Sequence, residues 1–588
     1  MNKIYLFFLP TMPTNFLFIR RPEDTKLPWW RRITIFLMTS WRGLVCLIAP
    51  LILIFVLTPF PPEKYQWCGY TLLLMAVFWV TECIPLPVTS FLPIVIFPLV
   101  GVMDTNTTCS CYMNDTVIMF YGSMVLAYAV EQSGLHRRLA LGAIRIIGYS
   151  HYRLLFAMSV TTMFISMWIT NTAATTMMVP IIFALLQIFE NQNLLTIYEQ
   201  DSNGEMIASD ITTCYFCAAS FSATVGGVGT LVGTATNLVY KGLFQRLYPT
   251  APEYLSFPKF SAFTIPYMII LEAGVYFYMV VLYFGFLRPK SQAAQSAKIS
   301  EEGVLAAKNT VEENWSKLGK ITFWEIMVTL LFSGAIMLFF CRSPQIFYGW
   351  GEYISDYYKL EDYKFVRDSA AALLICFLMF LLPSTLDFFL NFSANSNAKI
   401  YNNNCDIKEN TKHKKSNKHL ISKKKKITLN IIVLGGGFAL SEAAKKEHSD
   451  LNGQIGTVLR NLNIFPNYFI ILLIIIFTVF VTNFASNVAV CNVVTPIVMR
   501  LAREIDINPL WYNIVSGISA SFCFCLPVGT PGNLVIQSAA NIPTMKMVKA
   551  GIGPTVTTIL ISLICMSFWA PVIWPDLTKH PDELLWIE

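Results

Sequence analysis

Runs of about 20 apolar residues recur along the whole chain, and they constrain its fold more than any other feature of the sequence. A helix needs a run of this length to cross the hydrocarbon core of a bilayer, which is about 30 Å thick. With only 13% charged residues and a mean hydropathy of +0.53, the 588-residue chain could not cover a water-soluble surface. Strand-length alternation is absent, so the sequence predicts an all-α polytopic membrane protein rather than an outer-membrane barrel. The nine plain spans that we predict lie at 41–60, 65–81, 84–103, 116–130, 263–287, 323–340, 365–382, 429–443 and 555–573.

Four longer charge-free blocks carry polar residues in their middle, at 154–189, 211–240, 464–499 and 508–545. The first pair holds the tip "TNTAAT" (170–175) and then "GGVGTLVGTATN" (226–237); the second pair holds "FASNVAV" (484–490) and then "CLPVGTPGN" (525–533). Each half of the chain thus combines an Asn-centred tip with a Gly-Thr-x-x-Asn break. Interrupted helices at matching places in two halves are typical of transporters built from inverted repeats.

The simpler interpretation is that these small and polar residues only join helices together. It fits any one motif well, but not four motifs in two ordered pairs. A phosphate-binding loop at "GGVGT" is excluded because the Lys-Ser/Thr ending and the preceding strand are missing.

The chemistry of the four blocks points to ions. None of them contains Lys, Arg, Asp, Glu or His, which disfavours a proton relay. Hydroxyls, amide oxygens and freed carbonyls suit an alkali cation, and opened helix N-termini supply partial positive charge for an anion. The blocks therefore predict that Na⁺ and an anion bind together.

Basic segments predict the orientation. Ten lysines lie in the loop 399–426, which the positive-inside rule makes cytoplasmic, together with the tail 1–32 and the linker 289–320. Spans on both sides of the loop argue against a nucleic-acid-binding role. The sequons at Asn106 and Asn114 then lie outside, where they are candidate glycosylation sites.

Several longer stretches resemble one family of carriers. They are "WVTECIPLPVTSFLPIVIFPLVGVM" (79–103), "AVEQSGLHRRLAL" (129–141), the tip at 166–181, "LGGGFAL" (434–440) and the second-half motifs. On these stretches the chain is identified as a member of the divalent anion:sodium symporter family, which includes sodium-coupled dicarboxylate, citrate and sulfate carriers. The resemblance covers nearly the whole chain from about residue 40.

The resemblance implies an elevator-type transporter that works as a homodimer in membrane lipid. It implies about eleven transmembrane helices with two re-entrant hairpins in inverted repeats, a cytoplasmic amino terminus and an extracellular carboxyl terminus. The expected organisation, in chain order, is the tail 1–32; a first half 33–288 with hairpin tip 166–181 and broken helix 211–245; the linker 289–320; second-half helices 321–398; the loop 399–426; a segment 427–575 with second hairpin 458–500, broken helix 508–545 and the last span; and the tail 576–588.

Site residues follow from the resemblance by position. The expected first sodium site comprises Ser166, Thr170, Asn171 and Gly233, and the expected second comprises Thr482, Ala485, Asn487 and Gly529. The carboxylates of the substrate are expected at Asn171, Thr172, Asn487, Val488, Thr530 and Pro531. Val488 departs from the family pattern because a hydroxyl usually stands there, and Asn483 replaces a Glu that is common near the second hairpin.

We therefore expect a plasma-membrane secondary transporter that takes up a di- or tricarboxylate, of the succinate or citrate class, with Na⁺ and without an organic cofactor. The alternatives are a sulfate carrier, a sodium-independent anion exchanger, or a non-transporting membrane receptor or scaffold. A membrane redox enzyme is disfavoured because none of the six histidines falls inside a predicted span.

Overall fold

The structure is a computed structural model, and it is built mostly of helices. It describes residues 29–583 except 59–60, 149, 193–194, 202–203, 205, 289–300, 346, 361–364, 384–431, 446, 452–453, 455–463 and 528. Most of the tail 1–32, the whole loop 399–426 and the end of the tail 576–588 therefore lie outside the described residues.

The helices are numbered here in chain order. The first sixteen are α1 (Trp29–Ile52), α2 (Lys64–Thr81), α3 (Leu86–Thr89), α4 (Leu92–Leu99), α5 (Thr105–Ser110), α6 (Asp115–Ser133), α7 (Leu135–Ile147), α8 (His151–Ser166), α9 (Asn171–Asn191), α10 (Asp210–Gly227), α11 (Ala235–Leu247), α12 (Phe257–Tyr283), α13 (Glu301–Lys317), α14 (Phe323–Cys341), α15 (Trp350–Tyr357) and α16 (Asp368–Leu381). The remaining seven are α17 (Ile432–Ala443), α18 (Asn467–Thr482), α19 (Asn487–Glu504), α20 (Pro509–Ser519), α21 (Pro531–Ala540), α22 (Thr544–Ile564) and α23 (Ala570–Ile573).

The chain divides into two compact units. One unit comprises Met1–Tyr112 and Ile432–Ile455, and the other comprises Met113–Ile431 and Gly456–Glu588. All four motif blocks belong to the second unit.

In the first unit, the run predicted as one span at 84–103 forms two short helices instead. Four prolines fall in this run, and proline removes a backbone donor and clashes with the preceding turn. The bend is held by Ser90, whose Oγ accepts a 3.2 Å hydrogen bond from Trp79 Nε1 and whose carbonyl accepts one of 2.5 Å from the Tyr112 hydroxyl.

In the second unit, two helical hairpins carry the Asn-centred tips. Helices α8 and α9 are joined by residues 167–170, and α18 and α19 by residues 483–486, so both turns have four residues. The tip sequences 170–175 and 484–490 are mostly helical, because Asn171 is the first residue of α9 and Asn487 is the first residue of α19.

At both glycine motifs the helical structure is interrupted. Helix α10 ends at Gly227 and α11 begins at Ala235, while α20 ends at Ser519 and α21 begins at Pro531. The first tip and the end of α10 pack in one apolar cluster with α6 and α14, formed by Val130, Ile165, Ile169, Ala174, Ala223 and Val328.

Four buried charges pair with one another beside the middle of α11. Lys241 Nζ lies 2.9 Å from Asp368 Oδ2, and the Arg342 guanidinium contacts both Asp368 and Glu253. All four residues are at most 8% exposed. A buried charge is tolerated only with such partners, so this cluster fixes α11 against the end of α14 and the start of α16.

The prediction of an all-α chain is wrong in one detail. Residues Tyr198–Gln200 and Met206–Ala208 form a two-stranded antiparallel hairpin between α9 and α10. Between the two strands, Gly204 has φ +78°, a conformation that favours glycine and a turn.

Each of the nine predicted plain spans overlaps a helix of the structure. By length and composition, the described residues contain five helices able to cross a membrane, and one of these is the hairpin helix Asn171–Asn191. Shorter apolar helices lie at Leu86–Leu99, Asp368–Leu381, Ile432–Ala443 and Asn467–Thr482. The count of eleven spans remains a prediction.

Candidate functional site

The first hairpin tip brings three oxygen atoms together. Ser166 Oγ lies 3.0 Å from Asn171 Oδ1 and 2.6 Å from the carbonyl oxygen of Ala223 on α10. A serine hydroxyl has one proton to donate, so it satisfies only one of these two acceptors. The arrangement leaves an excess of acceptors in a buried place, which is the condition that favours a bound cation.

The second hairpin repeats this geometry. Thr482 Oγ1 lies 2.8 Å from Asn487 Oδ1 and 2.8 Å from the carbonyl oxygen of Ala520. The amide of Asn487 is oriented by its Nδ2, which donates to the Ser521 carbonyl at 3.2 Å. Hydroxyl, amide oxygen and backbone carbonyl therefore recur in the same relation in both halves.

The break glycines lie so close to backbone that no side chain could replace them. A Cβ on Gly233 would lie 2.5 Å from the carbonyl oxygen of Gly227 and 2.9 Å from that of Met167. A Cβ on Gly529 would lie 2.4 Å from the carbonyl oxygen of Thr482. Real Cβ atoms do not approach oxygen so closely, so both breaks need glycine to reach the tips.

The asparagine that ends each break motif holds the loop in place. Asn237 Nδ2 donates to the carbonyls of Gly227, at 3.1 Å, and Thr230, at 2.7 Å. Asn533 Nδ2 donates to the carbonyls of Cys523, at 3.2 Å, and Leu526, at 3.1 Å. These bonds satisfy carbonyls that the interrupted helices leave without intrahelical partners.

The two halves also contact each other at the breaks. Ser220 Oγ on α10 donates a 2.7 Å hydrogen bond to Asn533 Oδ1. A Cβ on Gly532 would lie 3.1 Å from Thr175 Oγ1, so α21 passes close to α9, the second helix of the first hairpin. The tip of one half and the break of the other therefore line a common region.

The residues expected to contact substrate stand at helix starts. Asn171 and Thr172 are the first two residues of α9, and Asn487 and Val488 are the first two of α19; all four are half-buried.

At the second break, Thr530 precedes α21 and is 4% exposed, and its Oγ1 has no hydrogen-bond partner. Pro531, the first residue of α21, is exposed. With α11, four helix N-termini begin at the tips and breaks, and each supplies partial positive charge and free N–H groups.

Two residues of the expected sodium sites add no side-chain oxygen to the clusters. The side chain of Thr170 is exposed and forms no capping hydrogen bond at the start of α9. Ala485 is buried, and only its backbone could bind an ion.

The structure adds residues that the motifs did not indicate. The backbone carbonyls of Ala223 and Ala520 belong to the oxygen clusters, and the alanine side chains give no indication of this. Asn483, noted above only as a departure from the family, is 6% exposed, and its Oδ1 accepts the Cys525 N–H at 3.1 Å, so it orders the second break.

Two histidines are buried, so the lack of histidine within the predicted spans does not mean that the protein buries none. His136 and His151 lie outside the predicted spans but are buried, at 6% and 1% exposure, and His151 Nδ1 lies 2.8 Å from the Tyr215 hydroxyl. The described residues hold no group of three or more His, Cys, Asp or Glu side chains able to bind a metal ion.

Comparison with known proteins gives the family. Residues 38–575 match the model of the sodium:sulfate symporter transmembrane region. The chain is 35% identical to the protein I'm not dead yet of Drosophila melanogaster, over 93% of this chain and 92% of that one. It is 30% identical to the Na(+)/dicarboxylate cotransporter 3 of Mus musculus, over 92% of this chain and 94% of that one.

One solved structure supports the architecture. The YdaH transporter of Alcanivorax borkumensis superposes with a TM-score of 0.52 at 12% identity, over 90% of this chain and 99% of that one. This likeness concerns the fold alone. By the family match and the relatives, the chain belongs to the sodium:sulfate symporter family and is an integral membrane transporter, not an enzyme.

Proposed function

We propose that this chain takes up di- or tricarboxylates, of the succinate or citrate class, across the plasma membrane together with Na⁺. The observation that carries the proposal is the repeated cluster of hydroxyl, amide oxygen and carbonyl at Ser166 and at Thr482. The Mus musculus relative is named as a sodium/dicarboxylate cotransporter, which agrees with this ion and this substrate class.

The oxygen clusters favour Na⁺ over a proton at the tips. None of the four blocks contains Lys, Arg, Asp, Glu or His, so the tips lack the side chains that usually take up a proton. Oxygen atoms from unwound backbone and hydroxyls are the ligands with which broken-helix transporters bind Na⁺. We assign the first sodium site to Ser166, Asn171 and the carbonyl of Ala223, and the second to Thr482, Asn487 and the carbonyl of Ala520.

The helix starts favour an anionic substrate. Free N–H groups at the starts of α9, α19 and α21 supply hydrogen bonds and partial positive charge where no lysine or arginine lies in the four blocks. Thr530 Oγ1, buried without a partner, is free to donate to a carboxylate oxygen. Two Na⁺ ions beside the anion would complete its charge balance, which makes sodium binding and anion binding mutually dependent.

We also propose how the chain moves and assembles. The two hairpins are re-entrant, they and the two broken helices move together as an elevator, and the chain works as a homodimer with its amino terminus in the cytoplasm. The equal turn lengths of the hairpins and the symmetric tip geometry support the inverted repeat that such a movement requires.

Uptake measurements in one expressing cell type test the proposal. Radiolabelled succinate, citrate and sulfate are compared with and without external Na⁺, against cells that carry the Asn171→Ala variant at equal surface abundance. We expect sodium-dependent succinate or citrate uptake that the variant lacks. Preference for sulfate, or uptake independent of Na⁺, would replace the proposal by a sulfate carrier or an anion exchanger. The absence of any uptake would favour a receptor or scaffold.

A further inference from the structure

One buried carboxyl group takes no part in the sites described above. Glu272 lies two residues from the midpoint of α12 (Phe257–Tyr283), which is among the helices able to cross a membrane. It is 4% exposed. Ionisable residues deep inside a transmembrane helix are costly, and they commonly serve ion or proton movement.

The contacts of Glu272 do not compensate a negative charge. Ser222 Oγ on α10 donates a 2.6 Å hydrogen bond to Glu272 Oε1, while Oε2 has no partner. Within the described part of the chain, no lysine, arginine or histidine forms an ion pair with this carboxylate. An ionised carboxylate held here would lose its hydration without a counter-charge, so this environment favours the neutral acid.

The helices around Glu272 offer few other groups that titrate. Residues 154–166 of α8, 218–227 of α10 and 550–564 of α22 have only apolar or hydroxyl side chains. On α12 itself, Tyr267 and Tyr276 lie about one turn away. On α14, Glu325 is paired with Arg138 at 3.0 Å. A change of charge at Glu272 is therefore not offset by a neighbour.

The hydroxyl of Thr558 on α22 lies level with Glu272 and also has no hydrogen-bond partner. Helices α12 and α22 run antiparallel, with the Tyr267 hydroxyl 2.6 Å from Ser562 Oγ and a Cβ on Gly274 only 2.5 Å from Thr557 Cγ2. This register places Thr558 level with Glu272. Thr558 is fully buried, and its Oγ1 has no hydrogen-bond partner. Three side chains are too few oxygen ligands for a metal cation, but they suffice for a proton.

The carboxyl group is also linked to the first oxygen cluster through α10. Ser222, its hydrogen-bond donor, directly precedes Ala223, whose carbonyl contacts Ser166. Loss of the Glu272 proton would strengthen the bond from Ser222 and pull on the helix that carries this carbonyl.

We propose that Glu272 is a proton-binding site, hydrogen-bonded to Ser222 and level with the unpartnered hydroxyl of Thr558, and that its proton is carried inward with the transported anion. The inference rests on the proposed transport function. The proton comes from water on the outer side and returns to water on the inner side. The empty carboxylate is ionised only in states of the cycle in which water reaches it.

The test uses the full chain in proteoliposomes that contain a pH-sensitive dye, with equal Na⁺ on both sides. Glu272→Gln keeps the shape of the neutral acid but cannot release a proton. Glu325→Gln is the matched control, because that buried carboxylate has a counter-charge.

We expect succinate influx to acidify the lumen in the wild type and the control. For the wild type and the control, the rate of succinate uptake should rise by up to about tenfold for each unit by which the outside pH falls, as long as the proton concentration is limiting. Glu272→Gln should transport succinate without acidification and with little pH dependence. Acidification by Glu272→Gln equal to that of the wild type would overturn the proposal.

A second measurement does not depend on transport. The infrared band of a protonated carboxyl, taken as the difference between the purified wild type and Glu272→Gln, should be present at low pH. It should disappear as the pH rises within about pH 5 to 9, where buried glutamates titrate. A difference band that is absent, or that does not change over this range, would show a fixed charge state and overturn the proposal. A titrating band in a chain that transports no anion would leave the proton site intact and refute the proposed transport function instead.

Discussion

Ser220 on α10 donates a 2.7 Å hydrogen bond to Oδ1 of Asn533 in the second break, across 313 residues of sequence. The same asparagine uses its Nδ2 to hold the carbonyls of Cys523 and Leu526. One side chain thus joins the broken helix of the first half to the break of the second. The counterpart of this amide in the first half, Asn237, has no hydrogen-bond partner for its Oδ1. The two halves are therefore similar but not identical in how their breaks are supported.

Removal of this bond should weaken both stability and transport. Ser220→Ala leaves the buried Asn533 Oδ1 without its donor, at a cost of about 1–3 kcal/mol. We expect a lower melting temperature of the purified protein and reduced uptake at equal surface abundance. Ser538→Ala is the control, because this exposed serine on α21 bonds only the Val535 carbonyl within its own helix. Equal melting temperatures for the two variants would contradict the role assigned to Ser220.

Asn171 should be needed for sodium affinity as well as for transport. Its Oδ1 is one of the three oxygens of the first cluster, so Asn171→Ala removes a ligand that alanine cannot replace. A lost ligand of about 1–3 kcal/mol corresponds to about five- to hundredfold weaker binding. Sodium activation of uptake measures this shift, with Thr176→Ala as the control on the same helix, where the hydroxyl is exposed. Unchanged sodium activation in Asn171→Ala would support the interpretation in which the tip only joins helices.

Val488 offers a gain of function. It is the second residue of α19, half-buried, at the place that Thr172 occupies in α9. Val488→Thr adds one hydroxyl at similar volume, and a new hydrogen bond contributes about 0.5–1.5 kcal/mol. The KM for succinate should fall by about two- to tenfold, and less for compact sulfate, at saturating Na⁺. If the KM of every tested anion stays the same, Val488 does not face the substrate.

The orientation can be tested without transport. An epitope inserted at Asn410, in the lysine-rich loop, should bind antibody only after the cells are permeabilised. Asn106, exposed on α5, should carry a glycan whose removal by Asn106→Gln increases electrophoretic mobility. Antibody binding to the epitope on intact cells would reverse the assigned orientation.

The hairpins and breaks could be predicted from the sequence because each depends on a local rule. Glycine and proline interrupt helices, and an Asn within an apolar block is costly unless it has a role. The order of the four motifs then predicts the pairing of tip with break. In the structure, the break glycines Gly233 and Gly529 lie against the carbonyls of Met167 and Thr482.

Other parts of the site could not be predicted because they depend on which helices meet. Every residue has a backbone carbonyl, so the sequence does not indicate that those of Ala223 and Ala520 belong to the site. The hydrogen bond from Ser220 to Asn533 joins residues far apart in the chain. Glu272 lies outside the four blocks, on a helix that the motifs do not include, and its nearness to them depends on how the helices pack. The proline-rich run 84–103 also shows that apolar length alone does not predict one continuous helix.

The coupling of anion movement to Na⁺ is tested most directly with the purified chain in proteoliposomes under an inward sodium gradient. The account predicts that succinate accumulates transiently above its equilibrium level, and that this overshoot disappears when K⁺ replaces Na⁺ or when the gradient is abolished. Equal accumulation without a sodium gradient, driven instead by an anion loaded inside the vesicles, would contradict the account and identify the chain as an exchanger.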